Sequence, residues 1–175
     1  SSKSGSGSGS AVRAPRLPRA IVPYSPACTA DSRNLLRENI VITGCTEHCT
    51  HAESQDLALT PAVKSIDGEE TNGFNVMAGG KMGSGGYRVA SALDVFVPPK
   101  EAAELCRHVT LIFRDHGSRA VRNKARLAFL IDAWGVAAFR AELQRRMGRP
   151  LLTAGHDKRG TKTTDHLGIG AQSQT

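Results

Sequence analysis

Apolar residues recur along this chain with two different periods, and the change falls at Pro98-Pro99. Before it lie short β-branched and apolar runs punctuated by turn residues. Asn39-Ile-Val-Ile-Thr43 stops at Gly44 and Leu57-Ala-Leu-Thr60 stops at Pro61, so both predict strands. Asp67-Gly68-Glu69-Glu70 has turn chemistry and leads into a third strand, Gly73-Phe-Asn-Val-Met-Ala78, which stops at Gly79-Gly80. Leu93-Asp-Val-Phe-Val97 predicts a fourth strand or extended edge, and a meander is the natural pairing.

After the prolines the spacing is helical. Leu105, Val109, Ile112 and Phe113 form one stripe, with Pro99 suited to the first turn and Gly117 to the end. From about Val121 a second helix carries Leu127, Leu130, Ile131 and Trp134 at spacings of three and four and ends at Gly135. A third, Val136 to Met147, turns Phe139 and Leu143 inward and Arg140, Arg145 and Arg146 outward. Strands followed by helices predict an α+β fold, an antiparallel sheet with helices packed on one face.

Both ends lack such a pattern. Residues 1 to 33, Gly-Ser alternation followed by basic and proline-rich sequence, read as a disordered leader, and the domain runs from 34 to 175. Its tail is Gly-, Thr- and Lys-rich and partly irregular, with one compact cluster, Thr164-Asp-His-Leu-Gly-Ile169. The leader resembles a transit peptide in charge, with Lys3, Arg13, Arg16 and Arg19 and no acidic residue in the first thirty, but it has no clear amphipathic stripe. A length of 175 residues accommodates one domain.

The formal charge of +7 points to an acidic partner. Aromatic residues make up only 5% with no stacking ribbon, which argues against nucleic acid, and no apolar run approaches a membrane span. Four cysteines without a framework spacing favour a reducing compartment.

Three stretches could carry chemistry. Arg114-Asp-His-Gly-Ser-Arg-Ala-Val-Arg-Asn-Lys-Ala-Arg126 puts Arg119, Arg122 and Arg126 at helical spacing near a helix start, where backbone N–H groups favour anions. It reads as an anion clamp on a core helix; the ordinary alternative is a solvated basic face. Cys45-Thr-Glu-His48-Cys49-Thr-His51 brings two thiols and two imidazoles onto one turn. Such a pair is half of a four-ligand iron or zinc set, or else two plain thiols in a polar loop. Gly79-Gly-Lys-Met-Gly-Ser-Gly-Gly86 could wrap a phosphate or carboxylate with backbone N–H groups while Lys81 adds charge. It does not have the P-loop spacing. No nucleophile elbow supports a Ser-His-Asp reading of Asp165-His166.

Taken in order, Asn34-Leu-Leu-Arg37, Thr43-Gly-Cys-Thr-Glu-His-Cys-Thr-His-Ala-Glu-Ser-Gln-Asp56, Gly73-Phe-Asn-Val-Met-Ala-Gly-Gly80, the basic segment 114–126 and Asp165-His-Leu-Gly168 resemble the nitrite and sulfite reductase family. The likeness is greatest to its ferredoxin-dependent nitrite reductases of cyanobacterial type. The ordered set is more specific than any one motif.

The resemblance implies the first half of an α+β oxidoreductase that is a doubled unit in the full enzyme, holding sirohaem and a [4Fe–4S] cluster. Such enzymes reduce nitrite to ammonia, or sulfite to sulfide, by six electrons, drawn from ferredoxin in this subgroup. By resemblance Arg37 faces the substrate anion, and Arg119, Arg122, Lys124 and Arg126 meet sirohaem carboxylates. The loop 81–87 lacks the family's Ser-x-Lys-Arg pattern, and by resemblance Lys81 or Arg88 is the candidate to stand in for its lysine. Glu38 departs from the family's Asn-Leu-Pro-Arg-Lys, as does the leucine in place of proline. Cys45 and Cys49 are the metal candidates of the chain. The family's cluster ligands, however, lie in the second half as Cys-x5-Cys followed by Cys-x3-Cys, so this first-half counterpart is expected to leave the cluster unbound. The expected function is therefore that of a fragment, inactive without its second half, in the bacterial cytoplasm or alternatively the chloroplast stroma. The alternatives are a sulfite reductase fragment, or a degenerate module that binds an anionic tetrapyrrole or a protein partner.

Overall fold

Asp67 and Gly68, with φ of 52° and 87°, make a two-residue turn whose left-handed backbone matches the twist of the strands on either side. The hairpin it closes is the centre of the sheet: β2, Leu57–Ile66, pairs antiparallel with β3, Glu69–Ala78, from Ile66 opposite Glu69 to Leu57 opposite Ala78. This computed structural model describes residues 38–83 and 86–161. The leader over residues 1–33, Arg37 and the Thr164–Ile169 cluster lie outside the described residues.

The hairpin is longer than the apolar runs predict. β2 passes through Pro61 instead of ending there, and β3 begins at Glu69 instead of Gly73. Pro61 is tolerated because its carbonyl, and so its missing N–H, faces the outer side of β2, where one neighbouring strand has ended and another is about to begin. The first of these neighbours is β1, Ile40–Ile42, which pairs with Leu57–Leu59 in parallel and not as part of a meander. The connection 43–56 is long enough for the crossover that a parallel pair requires. β4, Ser91–Val97, completes the order β1-β2-β3-β4 and is antiparallel to β3, with a register shift around Val76.

Three helices cover one face of the sheet, and the domain is α+β as expected. α1, Ala102–His116, follows a single 3-10 turn opened by Pro99 and ends at Gly117. α2 is Leu127–Trp134 and α3 is Val136–Met147, with Gly135 between them. Leu57, Leu59, Val76, Leu93 and Val95 of the sheet pack against Leu105, Val109, Ile112 and Phe113 of α1, Leu127 and Ile131 of α2, and Phe139 and Leu143 of α3. Such fully removed side chains contribute roughly 1.5–3 kcal/mol each before the entropy of ordering is counted.

The tail is more ordered than its composition suggests. Leu152 bridges to Phe96 at the β4 edge, and His156–Asp157 forms β5 against Ala62 and Val63 at the β2 edge. Between them the chain crosses beneath the opposite face, where the Asn75 side chain donates to the Gly155 carbonyl at 3.0 Å and accepts its N–H at 2.8 Å. Asp94, in the bulged part of β4 with φ of 52°, accepts the Ala154 N–H on Oδ1 at 3.0 Å. The backbone of this polar segment is held here by the Asn75 and Asp94 side chains.

Candidate functional site

Asp56, the last residue before β2, is fully buried, and a buried carboxylate needs partners. Its Oδ2 accepts the Asn39 N–H at 2.9 Å, and both oxygens accept the Arg126 guanidinium, Nε at 2.9 Å and Nη2 at 2.6 Å. One residue thus ties the entry to β1, the end of the Cys/His loop and the end of the basic segment. The pair is bidentate and largely shielded, with Arg126 21% exposed.

This pair corrects the helix expected from Val121. Arg126 has extended backbone, φ −134° and ψ 151°, so α2 starts after it, and the stretch from Val121 to Arg126 holds a 3-10 turn at Arg122–Lys124 in place of the expected α-helix. Reaching Asp56 sets Arg126 out of helical register with Arg119 and Arg122; the three do not share one helix face. Arg119 is exposed and donates to the Arg114 carbonyl, and Lys124 is exposed. The structure describes no side chain for Arg122. Of the expected clamp, then, Arg126 is spent inside the protein, while Arg119 and Lys124 point cationic groups to solvent from a loop anchored at its end.

The glycine-rich loop is also not an open cradle. The N–H groups of Gly79 and Gly80 donate to the carbonyls of Asp56 and Gln55, and Lys81 and Arg88 exchange both backbone hydrogen bonds. Lys81 is 3% exposed, donates Nζ to the Gly86 carbonyl at 3.0 Å and lies 5.3 Å over the Phe129 ring. Its charge closes the loop from inside and is not offered outward. Gly80 is there because a Cβ would sit 2.4 Å from the carbonyl oxygens of Gln55 and Glu53. Arg88, whose role the sequence left open, donates Nε to Asp132 of α2 at 2.6 Å and Nη1 to the Gly79 carbonyl at 2.7 Å. A cleft of about 190 Å³ remains between this hairpin and α2, lined by Lys81, Tyr87, Arg88, Phe129 and Asp132 among others. Met82, Tyr87 and Val89 are exposed apolar residues of the same hairpin.

In the Cys/His loop, Cys45 is exposed and Cys49 half-buried. Loss of hydration raises the Cys49 thiol, and the influence of the Cys45 thiol raises it further; Cys45 itself donates to the Glu47 carbonyl at 3.5 Å. His48 Nε2 meets Glu53 Oε2, and Arg159 Nη1 donates to Glu53 Oε1 at 2.7 Å. Burial pushes Glu53 up, but its backbone hydrogen bond, His48 and Arg159 outweigh this and hold it below the usual carboxylate range. Among the described residues no group of three or more His, Cys, Asp and Glu could hold a metal ion. Glu38 turns toward α1, where Thr110 donates to its Oε2 at 2.8 Å. Burial raises its pKa, Thr110 offsets part of that, and the Asp56 carboxylate raises it again.

Sequence reasoning overlooked Asp56, Glu53, Arg159 and Asp132 as the residues that hold these stretches. The available signal was a carboxylate directly before an apolar strand, a place where burial demands hydrogen-bonding partners. On α3, Arg146 is not outward: with Arg145 it binds Glu142, and it also reaches Asp115 of α1 at 2.8 Å.

Fold and site together define an α+β domain that carries an outward cationic loop on a buried ion-pair footing. The chain belongs to the nitrite and sulphite reductase family: the model described as "Nitrite and sulphite reductase 4Fe-4S domain" matches residues 37–151. It is 40% identical over 148 residues to an assimilatory ferredoxin-dependent nitrite reductase of Haloferax mediterranei, covering 77% of this chain and 25% of the relative. It is 41% identical over 143 residues to a ferredoxin–nitrite reductase of Leptolyngbya laminosa, covering 81% and 27%. The solved structure of the Mycobacterium tuberculosis NirA protein superposes with a TM-score of 0.64 at 32% identity, over 74% of this chain and 23% of that one. The chain spans about a quarter of the length of these curated relatives.

Proposed function

We propose that this chain is one half-module of a ferredoxin-dependent nitrite reductase and that it supplies the cationic flank of a sirohaem site completed by a second half. The observation that carries this reading is the division of labour in the basic segment: Arg126 is consumed by Asp56, while Arg119 and Lys124 stay exposed on the loop that this pair anchors. A polycarboxylate macrocycle suits exposed cations held in place, and the exposed Met82, Tyr87 and Val89 offer apolar contact on the hairpin that packs against α2. Sirohaem, when bound, supplies the iron at which the substrate anion receives electrons. This chain's own contribution is to bind and orient the carboxylates. Arg37 is assigned to the substrate anion and Arg122 to the carboxylates on family resemblance alone.

The [4Fe–4S] cluster is another matter. It takes four thiolates, and the described thiols do not fit it: Cys45 and Cys49 form a pair, and Cys106 stands on α1 near Glu38. The cluster, the six-electron reduction of nitrite to ammonia and the docking of ferredoxin are therefore assigned to the longer enzyme. A cytoplasmic setting goes with this reading, or a chloroplast stroma; among the described residues no helix is long and apolar enough to cross a membrane.

Sirohaem titrated into the chain at low salt should bind with a shift in its visible absorbance. Affinity should fall as salt rises, because attraction between exposed charges is screened within about 10 Å at 0.1 M. Arg119→Gln with Lys124→Gln should abolish most of the binding in a chain that circular dichroism shows to be folded. Binding indifferent to salt and to both substitutions would sink the assignment. The isolated chain should show no steady nitrite turnover with reduced ferredoxin or methyl viologen.

One observation favours a second reading, a degenerate module that binds a tetrapyrrole or protein partner without redox chemistry. Glu38 stands where the family has a lysine, and its carboxylate is drawn against α1. Supplying the second half in trans separates the two readings, since only the first recovers turnover. Comparing nitrite with sulfite as substrate then tests the sulfite reductase alternative.

A further inference from the structure

We propose that the open edge of β1 pairs with β1 of a second copy of this chain, antiparallel about a two-fold axis at Val41, so that the two sheets join into one. The register of β1 on β2 decides which backbone groups face inward. The Leu57 N–H donates to the Asn39 carbonyl at 3.1 Å and the Thr43 N–H to the Leu59 carbonyl at 3.0 Å, with Ile40 opposite Leu57 and Ile42 opposite Leu59. In a parallel ladder of that phase Val41 turns both its N–H and its carbonyl to β2, while Ile40 and Ile42 turn theirs away. No strand or loop among the described residues takes these outward groups.

The same two residues carry the exposed side chains of the strand. Ile40 is 44% and Ile42 50% exposed. By register both stand on the helix side of the sheet beside Leu57 and Leu59, which the helices cover completely, so the helical layer stops short of β1. Such an edge is ordinarily blunted by a charge, a proline or a bulge. β1 is Ile-Val-Ile and has none of these, and the carboxylate of Glu38, just before it, is drawn to Thr110 of α1.

A second copy fits because this edge is its own complement. Turned over about Val41, Ile40 of one copy faces Ile42 of the other, and each of the two pairs exchanges both N–H···O=C bonds. The isoleucine side chains of both copies then meet on one side of the joined sheet. Three residues from each copy bury less than the roughly 1,200 Å² of a stable interface, and two chains of formal charge +7 repel. The dimer is therefore weak, and it tightens as salt screens the repulsion. Sirohaem binding is expected to respond to salt in the opposite sense, and the inference does not rest on the reductase reading.

The test is sedimentation equilibrium on the full chain from roughly 10 µM to about 1 mM, at low and at physiological salt. The mass should rise with concentration from one chain toward two, and further at the higher salt. In hydrogen exchange the Ile40 and Ile42 amides should slow as concentration rises, by about tenfold when most of the chain is paired, while the Val41 amide, bonded to β2 throughout, stays unchanged. Ile42→Pro removes an outward N–H and no bond to β2, a change that edge strands tolerate. Ile40→Lys with Ile42→Lys puts like charges on the edge. Each should weaken association by about tenfold or more in a chain that circular dichroism shows to be folded. A wild-type chain that is still monomeric at about 1 mM overturns the proposal and leaves the edge to a strand of some other chain. So does a dimer in which the Ile40 and Ile42 amides exchange as fast as in the monomer, or one that both folded variants form as well as wild type does. The exchange measurement needs no variant and decides the matter whether or not the variants fold.

Discussion

Replacing Arg126 by Gln isolates the footing of the cationic loop. It leaves Asp56, with no solvent exposure, only the neutral Asn39 N–H at 2.9 Å, where the native protein adds two charged donors. Removing one partner of a buried pair costs roughly 3–5 kcal/mol, and Arg126 at 21% exposure places the cost near the lower end, about 3 kcal/mol. For a domain of this size that corresponds to a fall in melting temperature of about 10 °C. Urea unfolding followed by circular dichroism measures the change, with Arg119→Gln as the control; that exposed arginine should shift stability by no more than about 0.5 kcal/mol. In a double-mutant cycle with Asp56→Asn, the paired loss should be smaller than the sum of the single losses by about 1 kcal/mol or more. The reasoning fails if Arg126→Gln is no worse than the control, or if the two substitutions simply add.

Glu142 should make the protein acid-sensitive. Arg145, helped by Arg146 and opposed by burial, holds its carboxyl at about 2, against an ordinary 4.5. The folded value lies below the unfolded one, so this stabilisation is complete above the ordinary value and disappears as pH falls through it toward 2. Urea midpoints measured across that range should drop in the native chain and drop less in Glu142→Gln; parallel curves would contradict this. Gly80→Ala should cost about 1–3 kcal/mol, because its Cβ meets two backbone oxygens at 2.4 Å that cannot turn aside. An unchanged unfolding midpoint would show that the 51–56 turn yields instead.

Chain pattern alone was enough for the fold class, the order of β1 to β4 and of the three helices, and the apolar residues that α1, α2 and α3 turn inward. These follow from local periodicity and from the turn chemistry of Asp67-Gly68, Gly117 and Gly135, and each acts within a few residues. The ordered motifs likewise sufficed for the family, since several spacings had to agree at once. Tertiary structure decided what those residues do. Arg126 and Lys81 are indistinguishable in sequence from solvated cations, yet one binds Asp56 from seventy positions away and the other caps the Gly86 carbonyl over Phe129. β1 runs parallel and β5 exists at all because partners distant in the chain supply their hydrogen bonds, Leu57–Leu59 to one and Ala62 with Val63 to the other. The start of α2 was misread for the same reason. An ion pair made across the fold set the backbone of Arg126, and local helix propensity, worth tenths of a kcal/mol per residue, could not compete with a buried charge that needs its partner.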